Sequence, residues 1–267
     1  MGMVFSPARF FIPALLFCLP SVSFSYYGDP VTNALKDIKS LRAAPARLSE
    51  APAVYLAGGL LGAGIFIYSF DGQIRRIAGN NKSSSLDNIA RQTEKIGNGG
   101  YELAMLGAFA GAGYVFKNYK MKDTAWLAAE SFLAANAIGT VVKYSLGRAR
   151  PYGGYGKRAF KPFAFKTVRT SFPSGHTTSA FSVAAVLALR YDSPWAGLAA
   201  YGAASAVALQ RVYSDKHWAS DGFFGAILGT VTGRAVIRRA GSGPAKSAYL
   251  LPVITPDYSG ALAVVRF

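Results

Sequence analysis

An all-α fold is the reading that three features of this sequence support. Apolar segments of helical length recur along the chain, they are rich in Ala, Gly and Ser with few β-branched runs, and polar or basic breaks separate them. We expect a helical bundle of about six apolar helices, followed by a short C-terminal β-hairpin-like tail. Small residues suit such a bundle because they let helix backbones approach closely, in lipid or in a tight soluble core.

The first 25 residues read as a signal peptide. Arg9 supplies a positive flank, residues 10–20 an apolar core, and Ser23-Phe24-Ser25 a small-x-small cleavage site. That core is too short to span a bilayer comfortably; an uncleaved anchor or an interfacial helix is the alternative. Residues 26–50 carry Lys36, Lys39, Arg42 and Arg47 and read as an amphipathic connecting segment. The helical domain is expected over residues 51–244.

Within that domain, residues 51–70 carry no charge and are the best candidate for a spanning helix. Residues 71–100 are polar enough to face solvent. Residues 103–116 are apolar but short, and 124–142 are apolar except for Glu130 and Asn136. Residues 177–189, 193–210 and 222–233 complete the set, with Pro194 placed where a first helical turn tolerates it. Residues 245–267 differ: two short apolar runs flank Pro256-Asp257-Tyr258-Ser259-Gly260, which predicts the terminal hairpin.

Composition narrows the partners. The 267 residues are 51% hydrophobic and 16% charged, with a net charge of +16. Such an excess of cations favours anionic partners: phosphate esters or acidic lipid surfaces. Nucleic acid is disfavoured, since the basic residues cap apolar segments and line no single polar face. Mean hydropathy of +0.23 is modest for a protein wholly buried in lipid. Membrane association is expected, and whether the helices span or form a partly embedded bundle stays open. Topology sets a condition. With the leader cleaved and all six segments crossing, the polar motifs would face the cytoplasm. An envelope substrate therefore requires a retained leader or an odd number of segments that do not cross. The single cysteine, Cys18, excludes an internal disulfide.

The two histidines of the chain both sit among residues suited to a phosphate. His217 is followed four residues later by Asp221; on a helix the pair would share a face. A carboxylate accepting from Nδ1–H would fix the tautomer and leave Nε2 free, as a nucleophilic or general-base histidine requires. A zinc pair or a structural pair are the alternatives, and two histidines make a poor zinc ligand set. His176 lies in Pro173-Ser174-Gly175-His176, ahead of an apolar helix. A helix N-terminus is an anion site, Gly175 lets backbone approach the ligand, and Ser174 can cap and donate. His176 is then placed to protonate a leaving oxygen. An ordinary serine cap is the plainer alternative. Lys143 and Arg150, seven apart, lie two helical turns apart if the helix continues past Gly147, and Pro151 marks its end. With Arg211 they would neutralise a phosphoryl group. Arg148 could assist, or serve as a solvated flank. No metal and no cofactor is expected.

The three motifs, Lys143-x6-Arg150-Pro151, Pro173-Ser174-Gly175-His176 and Arg211-x5-His217-x3-Asp221, resemble in this order the type-2 phosphatidic acid phosphatase superfamily. That superfamily includes lipid phosphate phosphatases, undecaprenyl pyrophosphate phosphatases, class A acid phosphatases and vanadium haloperoxidases. The resemblance covers roughly residues 124–236. It implies a helical bundle and metal-independent hydrolysis through phosphohistidine. It further implies that Lys143, Arg150 and Arg211 bind phosphate, Ser174 and Gly175 support it, His176 is the acid, His217 the nucleophile and Asp221 its orienter. The family's serine before the arginine is Gln210 here, which puts the pocket's shape in doubt.

The expected function is therefore hydrolysis of a phosphomonoester or diphosphate, of a lipid, in the bacterial cell envelope with the site facing the periplasm. A soluble periplasmic acid phosphatase of broad specificity and a non-catalytic lipid-binding or transport protein are the alternatives. At neutral pH the two imidazoles are expected to shift in opposite directions from about 6.5, with His217 neutral and His176 protonated. The segment 152–170, with five cations, five aromatics and no acid, is expected at the mouth of the site.

Overall fold

The computed structural model describes residues 51–241, 247–255 and 258–266, with side chains from residue 56 to 241. The expected signal peptide 1–25 and the connecting segment 26–50 lie outside the described residues. Among the described residues, seven α-helices follow one another: α1 (Ala51–Asn80), α2 (Ser84–Ile96), α3 (Gly99–Val115), α4 (Tyr119–Leu146), α5 (Gly175–Tyr191), α6 (Pro194–Tyr213) and α7 (Ala219–Gly241). The all-α expectation holds. The polar stretch 71–100 does face solvent for the most part, and it is helical: it contains the last third of α1 and the whole of α2.

Local chemistry explains the boundaries. Ser83, Asn98 and Asn118 each stand at an N-cap, their side-chain oxygens accepting backbone N–H groups of α2, α3 and α4 that no intrahelical carbonyl can reach. Pro194 occupies the first turn of α6, where its missing N–H costs nothing. Helix α4 stops at Gly147, whose φ of +59° is left-handed and whose N–H returns to the Lys143 carbonyl. A Cβ at Gly147 would stand 1.7 Å from the Lys161 carbonyl oxygen, so only glycine fits. The helix therefore does not continue from Lys143 to Arg150. Arg150 lies in extended backbone ahead of the 3₁₀ turn Pro151–Gly153.

Helix α5 is central, packed on α7, α6 and α4, while α1 packs on α7 and α2 on α6. The α5–α7 contact is close because Gly225, Gly229 and Gly233 recur every fourth residue along one face of α7. A Cβ at Gly229 would meet the Thr178 carbonyl oxygen at 2.3 Å, and one at Gly233 the Ser182 carbonyl oxygen at 2.7 Å. Two apolar clusters flank this seam: Leu106, Leu127, Ala128, Val186 and Val236 on one side, Ala180, Ala184, Ala204 and Val207 on the other. Glu130, the carboxylate inside an otherwise apolar segment, is buried and paired with Arg239 of α7.

Large apolar side chains also point outward, among them Leu61, Ile65 and Phe66 on α1, Leu133 and Val141 on α4, and Trp195, Leu198 and Leu209 on α6. Among the described residues, α4 is long and apolar enough to cross a membrane. After α7, the backbone of Ser247–Thr255 runs antiparallel to that of Tyr258–Arg266. Nothing else supports the expected hairpin as part of the fold.

Candidate active site

Three loops and helix ends place the motif residues together. Lys143 sits in the last turn of α4, and its Nζ lies 3.4 Å from where a Cβ on Gly175 would stand. Gly175 and His176 open α5. Arg211 is near the end of α6, and His217 lies in the turn between α6 and α7. Asp221 is in the first turn of α7. The Ser174 N–H donates to the Asp221 carbonyl at 3.0 Å, which joins the second motif to the third through backbone. His217 and Asp221 thus do not share a helix; the chain turns at Trp218 between them.

This turn changes what Asp221 does. The Nδ1 of His217 lies 2.7 Å from the Ser171 carbonyl oxygen and 3.8 Å from Asp221 Oδ2. The expected direct bond from the ring to the carboxylate is not formed. Asp221 Oδ2 instead accepts from the Ser171 hydroxyl at 2.5 Å and from the Trp218 N–H at 2.9 Å, clamping both residues that frame the ring. A carbonyl oxygen can only accept, so Nδ1 carries the proton and Nε2 is left as a lone pair.

Ser174 also differs from expectation. It is the N-cap of α5, but its side chain makes no capping bond; its hydroxyl accepts from Thr177 Oγ1 at 2.9 Å. Gln210, where the resembled family has serine, is buried. Its amide nitrogen donates to Ser214 Oγ at 2.9 Å and its oxygen accepts from Arg211 at 3.4 Å, so it braces the arginine beside it.

The electrostatics are those of a pocket poised for an anion. Arg150 and Arg211 are held by Thr170 Oγ1 and Glu94, at 3.2 and 2.7 Å. The buried Nε of each makes no hydrogen bond. Buried guanidinium N–H groups without acceptors are costly unless something else fills the role. Burial pushes His217 down to about 4; Asp221 opposes the push, and Arg150 and Lys143 add to it. Burial pushes His176 down to about 3, with Arg211, His217, Arg150 and Lys143 all adding. The two imidazoles therefore shift in the same direction, contrary to the opposite shifts expected. The cations crowd both rings and hold His176 neutral. Burial alone would raise Asp221, but His217, the Arg148 guanidinium and the Ser171 hydroxyl outweigh it and keep it low.

Sequence reasoning missed several residues. Arg148 is fully buried, not a solvated flank, and bonds Asp71 of α1 and Asp221 at 2.7 and 2.5 Å. Ser171 and Ser220 join the same network, and Glu94 pairs separately with Arg211. An arginine two residues before Arg150, in a turn bounded by Gly147 and Pro151, was the available signal. Of the basic segment 152–170, Arg158, Lys161 and Lys166 are exposed, as are Tyr152, Tyr155, Phe163 and Phe165. Lys157 is tied to the Tyr68 and Ser69 carbonyls at 3.2 and 2.7 Å.

Known proteins similar to this chain include phosphatases. The chain is 29% identical over 187 residues to a lipid A 1-phosphatase of Porphyromonas gingivalis, covering 65% of this chain and 36% of that protein. It is 31% identical over 109 residues to a lipid A 1-phosphatase of Rhizobium johnstonii, covering 39% of this chain and 44% of that protein. The matched stretches thus span less than half the length of these relatives. A transmembrane PAP2 type phosphatidylglycerolphosphate phosphatase from Bacillus subtilis shares the fold, with a TM-score of 0.52 and 21% identity over 79% of this chain and 96% of that one. The family model of the PAP2 superfamily matches residues 124–241, which hold Lys143, Arg150, His176, Arg211, His217 and Asp221. Over that segment, which is less than half of the chain, the sequence resembles the PAP2 superfamily.

Proposed function

We propose that this protein is a metal-independent phosphatase of the bacterial cell envelope, cleaving a phosphomonoester or diphosphate of a lipid through a phosphohistidine. The observation that carries the reading is the convergence, on one buried and one half-buried imidazole, of arginines whose buried Nε–H groups lack acceptors. A phosphoryl group supplies acceptors for Arg150 and Arg211 and neutralises the cluster they form with Lys143.

The steps follow from the atoms. His217 Nε2, freed by the bond from Nδ1 to Ser171, attacks phosphorus and the P–O bond to the alcohol or phosphate leaving group breaks. His176 gives its proton to the departing oxygen. The entering anion offsets the four neighbours that hold His176 low, so it takes up that proton as substrate binds. Water then attacks the phosphohistidine, passing its proton to His176, and phosphate leaves. Lys143, Arg150 and Arg211 hold the equatorial oxygens throughout, with Ser174 and Gly175 lining the backbone side.

A lipid substrate is supported by the outward apolar faces of α1, α4 and α6, by the exposed aromatics and cations of segment 152–170, and by the names of the curated relatives. Lipid A, or another phosphorylated lipid of the envelope, is the substrate class, reached with the site facing the periplasm. A soluble acid phosphatase of broad specificity would show the opposite preference, for small esters over lipids. The test is phosphate release from a panel of lipid A, phosphatidate, isoprenyl diphosphate and small esters, with wild type and His217→Ala side by side and with EDTA present or absent. Release from a lipid that EDTA leaves intact and His217→Ala abolishes is expected. EDTA-sensitive release contradicts the mechanism, and no release at all favours a binding protein.

A further inference from the structure

Behind Asp221, on the side away from His217, lies a charge network that no motif includes. Arg148 is 1% exposed. It donates to Asp221 Oδ1 at 2.5 Å, to Asp71 Oδ2 at 2.7 Å and to Ser220 Oγ at 2.8 Å. Asp71, also 1% exposed, accepts the Ser220 N–H and hydroxyl at 2.9 and 2.6 Å. The rings of Tyr68 and Trp218 flank the guanidinium, with centroids 5.0 and 5.7 Å away. Asp71 comes from α1, outside residues 124–241.

Charge counting shows why the second carboxylate matters. Arg148 facing Asp221 alone would make a neutral pair, and the imidazole beyond would sense little negative charge. With Asp71 also drawing on Arg148, the three side chains sum to −1. Geometry acts in the same sense: Arg148 bridges two carboxylates, so Asp221 Oδ1 is fixed and Oδ2 stays turned toward Ser171 and Trp218, which frame His217. Burying two carboxylates and a guanidinium is expensive, and buried ion networks are weak devices for stability alone.

We propose that Asp71 and Arg148 are positioning residues of the site: with Asp221 they form a buried carboxylate–guanidinium–carboxylate chain that fixes the carboxylate behind His217 and keeps it net negative. The proposal rests on the reading of His217 as nucleophile. It gives α1 a function beyond packing, since the helix supplies the charge that completes the site from outside the family segment.

Asp71→Asn keeps the shape and removes the charge. Groups facing the His217 ring from other elements are Lys143 on α4, Arg150 in the loop after it, His176 on α5 and Asp221 on α7; none is altered. The expected result is a fall in kcat of about ten- to hundredfold, the size usual when a partner behind a catalytic ligand is lost. KM stays within about twofold, because no phosphate-contacting residue changes. The acid limb of the pH–rate profile moves to lower pH, as withdrawing negative charge near His217 makes its protonation harder. Arg148→Lys, which cannot bridge two carboxylates, should reproduce the kcat loss. Ser220→Ala removes one donor to Asp71 and should lower kcat by about threefold; it carries the test if Asp71→Asn does not fold.

A readout independent of turnover is NMR titration of ¹⁵N-labelled histidine, assigned with His176→Gln, in wild type and Asp71→Asn. A downward displacement of the His217 midpoint supports the proposal even if no substrate is cleaved, in which case only the phosphatase reading fails. A variant that melts earlier but keeps the wild-type kcat, pH profile and His217 titration overturns it, leaving Asp71 a purely structural residue.

Discussion

The imidazole of His217 takes its orientation from Ser171: Nδ1 lies 2.7 Å from that residue's carbonyl oxygen, while the Asp221 carboxylate is 3.8 Å off. A backbone carbonyl cannot titrate and cannot donate, so the tautomer survives loss of charge at Asp221. Asp221→Asn should therefore keep Nε2 available and lower kcat by about ten- to hundredfold, the cost of losing the charge and the clamp on Ser171 and Trp218. Steady-state kinetics alongside His217→Ala, which should leave no measurable turnover, checks this. Equal and complete loss in both variants would mean that Asp221 sets the tautomer after all.

The withdrawal of both imidazoles from water, complete at His217 and partial at His176, fixes a pH dependence. His217 is held at about 4 and His176 at about 3, against about 6.5 in an unfolded chain. Between those values the unfolded chain binds more protons than the folded one, so stability rises with pH there and is lost as pH falls below about 6.5. Melting temperature should drop between pH 7 and pH 4, and the His176→Gln, His217→Gln double variant should drop less over the same range. Parallel curves for the two proteins would contradict the burial of the rings.

The seam between α5 and α7 admits no side chain at Gly229, where a Cβ would stand 2.3 Å from the Thr178 carbonyl oxygen. Gly229→Ala should separate the helices and cost about 1–3 kcal/mol, the usual range for overpacking a close contact. Because the seam begins at Ser174, kcat should fall with it. Gly107→Ala, at a position with nothing within 4 Å of a new Cβ, is the control and should stabilise or change nothing. Thermal melts of the two variants decide the point.

The segment 152–170 offers Arg158, Lys161 and Lys166 to solvent beside exposed aromatics. Replacing all three with serine should raise KM for an anionic lipid by about tenfold, with kcat and KM for a small soluble phosphate ester unchanged. An unchanged KM for the lipid removes this segment from substrate capture.

Sequence alone brought out the cluster of motif residues better than the scaffold behind it. Lys143, Arg150, His176, Arg211, His217 and Asp221 were legible because each lies within a short motif whose residue types suit an anion. Asp71 was not: it is 77 residues from Arg148, and nothing local to either residue announces a partner at that distance. Helix α2 was legible but passed over: behind the Ser83 cap, Leu86, Ile89, Ala90 and Ile96 recur at helical spacing in a segment whose overall polarity drew the eye. The end of α4 could have been read, since Gly147 ahead of Pro151 marks a left-handed stop. The bond from His217 to a backbone carbonyl could not, because side-chain spacing carries no information about main-chain acceptors.

Trapping of the phosphoenzyme tests the central claim most directly. Wild-type protein mixed with a ³²P-labelled lipid phosphate and quenched in alkali, which preserves phosphohistidine, should yield label on the peptide containing His217. His217→Ala should yield none, and His176→Ala should gain and lose label more slowly, because the leaving oxygen and the attacking water both then lack their proton partner. Label on His176, or turnover with no covalent label under conditions where release is slow, would contradict the account.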